Sequence, residues 1–100
     1  MLKSPAMIVA ACVVRLYLPQ SDSLKAKRSV LKSLLTRLRH EFNIATAETG
    51  LHDVWQTAEI SLVTVSTDAG YAQGLLARAL QWIEANRPDV DVFDSQIEMR

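Results

Sequence analysis

Cysteine is almost missing from this sequence. Cys12 stands alone, which excludes an intramolecular disulfide and any metal site built only of cysteines. Glycine and proline are scarce, with three of each. That rules out collagen-like and low-complexity chains, and no glycine-rich phosphate loop is present. No apolar run approaches the roughly 20 residues of a membrane-spanning helix. Acid is missing from one place in particular: residues 23–40 hold six bases and no Asp or Glu. What is present is an apolar fraction of 49% in 100 residues, enough to bury the single core of one small globular domain.

The zero net charge conceals an asymmetry. Residues 1–40 carry eight bases against Asp22, whereas residues 41–100 carry three bases against ten acids. Such a split points either to a polyanion-binding patch or to complementary surfaces in an assembly. The isoelectric point of about 6.7 lies well below the values above roughly 9 that mark many dedicated nucleic-acid domains.

Residues 7–18, MIVAACVVRLYL, are rich in β-branched side chains and stop at Pro19. They predict a strand whose faces are both largely apolar, hence a central one. Val9-Ala10-Ala11-Cys12 looks like a lipoprotein cleavage box, but only Met7 and Ile8 precede it as an apolar stretch, too few for a signal segment. The strand reading therefore stands, with Cys12 a small core residue and a cytoplasmic location expected. Ser21, Asp22 or Ser23 can cap a helix running to about His40, with Leu31, Leu35, Leu38 and Phe42 on one stripe, widened by Val30 and Leu34. NIATAET (43–49) reads as a short strand and GLHDVWQ as a loop turning at Gly50. TAEISLVTVS (57–66) reads as a second good strand. Thr67 or Asp68 caps a second helix to about Asn86, its buried stripe formed by Ala72, Leu75, Leu76, Ala79 and Ile83. A last strand, about 90–99, alternates as an edge strand does. The order β-α-β-β-α-β, with right-handed crossovers, predicts a ferredoxin-like α+β fold: a four-stranded antiparallel sheet with two helices on one face. The other face, bearing Met7, Val9, Val13 and Tyr17, needs a cover, and a homo-oligomer, most simply a dimer, is expected.

On a helical wheel Arg28, Arg39, Lys32 and Lys25 form one stripe beside the apolar face, with Lys27 and Arg37 on the opposite flank. Aligned cations with no acid between them can track phosphates. The alternatives are contact with the acidic half of another chain, and a plain solvated face whose long side chains shield the core.

The segment MIVAACVVRLYLPQSDSLKAKRSVLKSLLTRLRHEFNIATAET, followed by HDVWQTAEISLVTVSTD, resembles the YlxP-like family of small bacterial proteins. The likeness spans roughly residues 7–99, and its specific part is SLKAKRSVLKSLLTRLRHEFN. It implies a ferredoxin-like fold and a cytoplasmic role near RNA or the ribosome, because genes of the family often lie beside those for translation initiation and ribosome maturation factors. It implies no established activity. Members usually begin at the position of Met7, so Met1–Ala6 reads as an N-terminal extension of a single domain, 7–99. The chain departs from its relatives at Thr49-Gly50-Leu51, where theirs tend to be more polar.

The remaining constellations are weaker. RNA-recognition domains of this topology stack bases on aromatics of the central strands, but residues 57–66 have none and the first strand offers only Tyr17. His52, Asp53, Trp55 and Gln56 gather in the hairpin loop and form a candidate partner-contact site, since Trp is frequent in binding hot spots. Against it stands a loop whose Trp55 simply packs on the domain while Asp53 bonds to backbone amides. Glu48, His52 and Asp53 make a poor metal set, with no second His nearby. The loop PQSDSLK lacks the glycines found at that place in acylphosphatases of this topology, and no nucleophile setting is recognisable, so no enzyme, metal or cofactor is expected. The expected function is that of an accessory RNA- or ribosome-associated protein using Lys25, Lys27, Arg28, Lys32, Arg37 and Arg39. The alternative is a non-catalytic interaction module whose basic helix pairs with acids of another chain, such as Asp89, Asp91, Asp94 and Glu98.

Overall fold

A computed structural model describes residues 6–100; the N-terminal extension, apart from Ala6, lies outside the described residues. The elements follow the predicted order: β1 (Ile8–Tyr17), α1 (Leu24–Glu41), β2 (Ala45–Gly50), β3 (Thr57–Ser66), α2 (Ala69–Asn86) and β4 (Asp91–Met99). The sheet runs β2-β3-β1-β4, and all three pairings are antiparallel. This is the ferredoxin-like arrangement, with β1 central and β4 an edge, as the patterns of the two strands require.

Period-two alternation sorts the sheet into two faces. Ala10, Cys12, Val14 and Leu16 of β1 and Ala58, Ile60 and Leu62 of β3 are buried beneath the helices. Cys12 is free and fully buried, and burial pushes its thiol pKa above the ordinary value, so it is a core residue and a poor nucleophile. From α2 the core receives Ala72, Leu76, Ala79 and Ile83, with Leu75 also buried, which is the predicted stripe. From α1 it receives Leu31, Leu34 and Leu38, with Val30, Leu35 and Phe42 packed at its margin.

Both helices begin at side-chain caps. Ser23 accepts a bond from the Ala26 amide at 3.0 Å, and Asp68 accepts one from Tyr71 at 3.0 Å, satisfying donors that the first turn leaves open. Besides a first strand one residue shorter at each end, boundaries around α1 and β2 differ from the sequence reading. The first helix continues to Glu41, within ion-pair reach of Arg37 one turn earlier at 3.5 Å. The second strand starts at Ala45, because Asn43 is engaged elsewhere: its carbonyl accepts a bond from the Thr64 hydroxyl at 3.1 Å. The hairpin turns at Leu51, the residue with positive φ (58°), while Gly50 still belongs to β2. Gly50 meets a different demand, since a Cβ there would stand 2.6 Å from Glu59 Oε2 across the strand pair.

Candidate functional site

The first turns of α1 carry cations in two unlike environments. Lys27 lies between Leu31 and Leu34 on the wheel, in the middle of the apolar stripe, and it is 1% exposed. Its ammonium donates to the carbonyls of Leu51 at 2.6 Å and Val54 at 2.7 Å. Glu48 Oε2, on the helix-facing side of β2, lies 3.5 Å from the same nitrogen. That separation supplies a counter-charge, yet this buried oxygen has no hydrogen-bond partner. Lys27 therefore does not join a phosphate-facing surface, contrary to the sequence expectation. Burial of its charge is compensated by two carbonyls and a carboxylate in place of water.

Those bonds hold the β2–β3 loop. Leu51 O also accepts the Val54 amide at 3.1 Å, closing a turn, and Gln56 O accepts the Leu18 amide at 2.7 Å at the end of β1. The loop is thus tied to α1 at one end and to β1 at the other, while its side chains point outward. Leu51, Val54 and Trp55 are all exposed, Trp55 at 53%. The ring does not pack away on the domain. His52, Asp53 and Gln56 are exposed beside it, and the expected partner-contact residues therefore share one surface loop. Glu48, the third member of the weak metal set, instead faces Lys27.

Lys25, Arg28, Lys32, Arg37 and Arg39 are exposed, but not equally available. Arg37 lies 3.5 Å from Glu41 and sits over the Trp82 ring at 5.6 Å on the α2 side. Arg39 donates to the Thr46 hydroxyl of β2 at 2.7 Å and to that of Thr36 at 3.3 Å. These two contacts orient the helix. One flank faces α2, and the flank bearing Arg28, Lys32, Lys25 and Arg39 looks out over the β2 edge. Lys25, Arg28 and Lys32 have no ion pair or side-chain hydrogen bond among the described residues. Lys25 and Arg28 belong to the same turn of α1 as Lys27, the residue that holds the loop carbonyls.

The acids collect elsewhere. Asp91, Asp94 and Glu98 pair in register with Tyr17, Arg15 and Ala11, which places them on the uncovered face of the sheet. Arg15 lies 3.5 Å from Glu59 there. Asp89 is held by Arg87 at 2.8 Å, and Arg87 also reaches Ser33 of α1 at 3.2 Å. The uncovered face is apolar at its other end, where Val65 is exposed and a shallow depression is lined by Asn43, Ile44, Ala45, Val63, Thr64 and Val65. No helix of the described residues is long and apolar enough to cross a membrane.

Lys27 stands four residues before Leu31, yet the sequence expectation sets it on the opposite flank as a phosphate contact, because its partners are main-chain oxygens 24 and 27 residues away, which leave no side-chain signature. Leu51 and Val54 joined the loop surface without any chemical motif to mark them.

Residues 9–97 match the model of a family described as "Protein of unknown function (DUF503)". The chain is similar to "Uncharacterized protein YlxP" of Bacillus subtilis (strain 168), with 36% identity over 76 residues, covering 76% of this chain and 80% of the relative. A solved structure, "De novo designed protein Foldit4", superimposes with a TM-score of 0.49 at 15% identity, covering 94% of this chain and 96% of the other. The family match across nearly the whole fold and the identity to YlxP agree with the resemblance read from SLKAKRSVLKSLLTRLRHEFN: the chain belongs to the DUF503 family of YlxP-like proteins, whose function is uncharacterised.

Proposed function

We propose that the protein is a cytoplasmic, non-catalytic accessory factor that binds RNA, free or within a ribosomal subunit, through the β2-side flank of α1. The observation that carries this reading is the set Lys25, Arg28 and Lys32: three exposed cations along the first turns of α1, with no carboxylate paired to them among the described residues. Arg39, already bonded to neutral hydroxyls, extends the same flank and keeps donors free for a phosphate. Arg37 contributes less, because Glu41 and Trp82 engage it. Lys27 acts indirectly, by fixing the loop beside this flank. Phosphate contacts of this kind give affinity without sequence preference.

The test is binding of the purified protein to structured RNA and to ribosomal subunits across a salt series, beside the triple variant Lys25→Ala/Arg28→Ala/Lys32→Ala. Log affinity should fall linearly with log salt, and the variant's slope should be shallower by roughly 2. Its thermal stability should match the parent's, since none of the three side chains has an ion-pair or hydrogen-bond partner among the described residues. Equal affinity of parent and variant would remove the helix from the reading.

A second reading has its own observation. Asp91, Asp94 and Glu98 line one strip of β4, a surface that could receive the basic helix of another chain. It makes the protein an interaction module and transfers the role of the same cations from phosphate to carboxylate.

A further inference from the structure

We infer that the tethered β2–β3 loop is a base-stacking platform, with Trp55 receiving an unpaired RNA base whose flanking phosphates lie on Lys25, Arg28 and Lys32. This rests on the RNA reading above and narrows its ligand class to single-stranded segments.

Rigidity is the first argument. Lys27 fixes two of the loop's carbonyls and the Leu18 amide fixes a third. A loop so constrained presents its outer side chains without a large ordering cost on binding. What it presents is apolar: Leu51, Val54 and Trp55. Leu51 occupies left-handed backbone, φ 58°, where a β-carbon is disfavoured by about 1 kcal/mol and glycine or asparagine would rest more easily. A strained, bulky, exposed leucine beside an exposed tryptophan is a costly way to make a turn and a reasonable way to make a surface.

Position is the second argument. The large exposed aromatics are Tyr17, Trp55, Tyr71 and Phe93. Tyr17 pairs in register with Asp91, and Phe93 lies between Val92 and Asp94 on the β4 edge, so phosphates approaching them meet carboxylates. Tyr71 lies in the first turn of α2 behind the Asp68 cap and already carries Arg78 over its ring at 5.9 Å. Trp55 is the one of these whose loop is bonded to the N-terminal part of α1, because the carbonyl of Val54, its neighbour, accepts from Lys27 of the turn that also carries Lys25 and Arg28. Charge complementarity thus favours a polyanion at this loop, and an aromatic face with neighbouring cations is the general means of holding single strands. Duplex RNA hides its base faces and could use only the cations.

The test measures affinity by fluorescence anisotropy for a short oligouridine and for a perfectly paired RNA duplex, using the parent, Trp55→Ala, Trp55→Phe and the triple cation variant. Trp55→Ala should weaken oligouridine binding about tenfold and leave both the duplex affinity and the salt slope unchanged. Trp55→Phe should retain most of the affinity. The triple variant should weaken both ligands. If Trp55→Ala binds oligouridine as the parent does while the triple variant does not, the platform is overturned and the phosphate reading stands. Equal losses on both RNAs would also overturn it. If the parent binds neither RNA at low salt, both readings fall and the loop becomes a protein-contact surface.

Discussion

Lys27 replaces its hydration shell with Leu51 O, Val54 O and the nearby carboxylate of Glu48. Removing the ammonium leaves Val54 O without that donor and the buried Glu48 oxygen without a counter-charge. Lys27→Met should therefore cost about 3 kcal/mol of unfolding free energy, most of it from uncompensated polar groups and little from lost packing. Adding Glu48→Met should recover part of that loss, since replacing both charges with apolar volume is far less costly than removing one. Urea unfolding of the parent, the single and the double variant measures both quantities; a single variant as stable as the parent would show that the tether is energetically idle. The same residue shows where sequence reasoning stops. Lysine is so seldom buried that its position on the wheel argues for a second exposed flank, and nothing in the spelling of residues 51–54 announces two carbonyls aimed at it. The glycine at 50 misled in the opposite direction. It invited the turn, but it lies within β2 facing the Glu59 side chain, and the left-handed residue is Leu51.

At the scale of elements, apolar periodicity carried nearly everything. The stripe of α2 and the limits of β3 follow directly from residue spacing, because α2 lays its stripe on the face where β3 alternately buries Ala58, Ile60 and Leu62. The limits of α1 and β2 were less legible, since they depend on the Arg37–Glu41 pair and on Thr64 reaching Asn43 O, contacts made only after folding. The α2–β4 connection depends on a similar contact. Arg87 donates to Asp89 at 2.8 and 3.0 Å, and this bonding holds the Asp89 pKa below its ordinary value of 3.8. A carboxylate with a depressed folded-state pKa contributes stability that is present above the unfolded value and is lost as pH falls through the folded one. The parent should lose stability on acidification below about pH 4, and Asp89→Asn should flatten that part of the curve while lowering stability at neutral pH by well under 1 kcal/mol, as expected for a partly exposed pair. Thermal melts from neutral pH down to about pH 2 decide it: an unaltered acid limb in Asp89→Asn would assign the titration to other carboxylates.

On the whole molecule the unpaired cations of α1 and the acidic strip of β4 lie on different faces. The unpaired cations Lys25, Arg28 and Lys32 stand on the helical layer, whereas Asp91, Asp94 and Glu98 stand on the uncovered sheet surface. That separation gives the two readings different consequences. If the basic helix of one copy docked on the acidic strip of the next, different surfaces would meet, and such a heterologous contact yields rings or open chains but not a closed dimer. It would also be weakened by salt, because exposed charges are screened beyond roughly 10 Å at 0.1 M. A dimer formed through the apolar end of the same sheet surface, around Val63 and Val65, would persist or tighten under the same conditions, since burial of apolar area does not depend on ion pairs. Sedimentation of the RNA-free protein over a range of salt separates these cases. The phosphate reading requires a mass independent of salt while RNA affinity falls steeply. Assemblies that grow as salt is lowered, and that the triple cation variant abolishes, would instead commit the basic helix to protein contact and explain the neutral total charge as the sum of two matching surfaces.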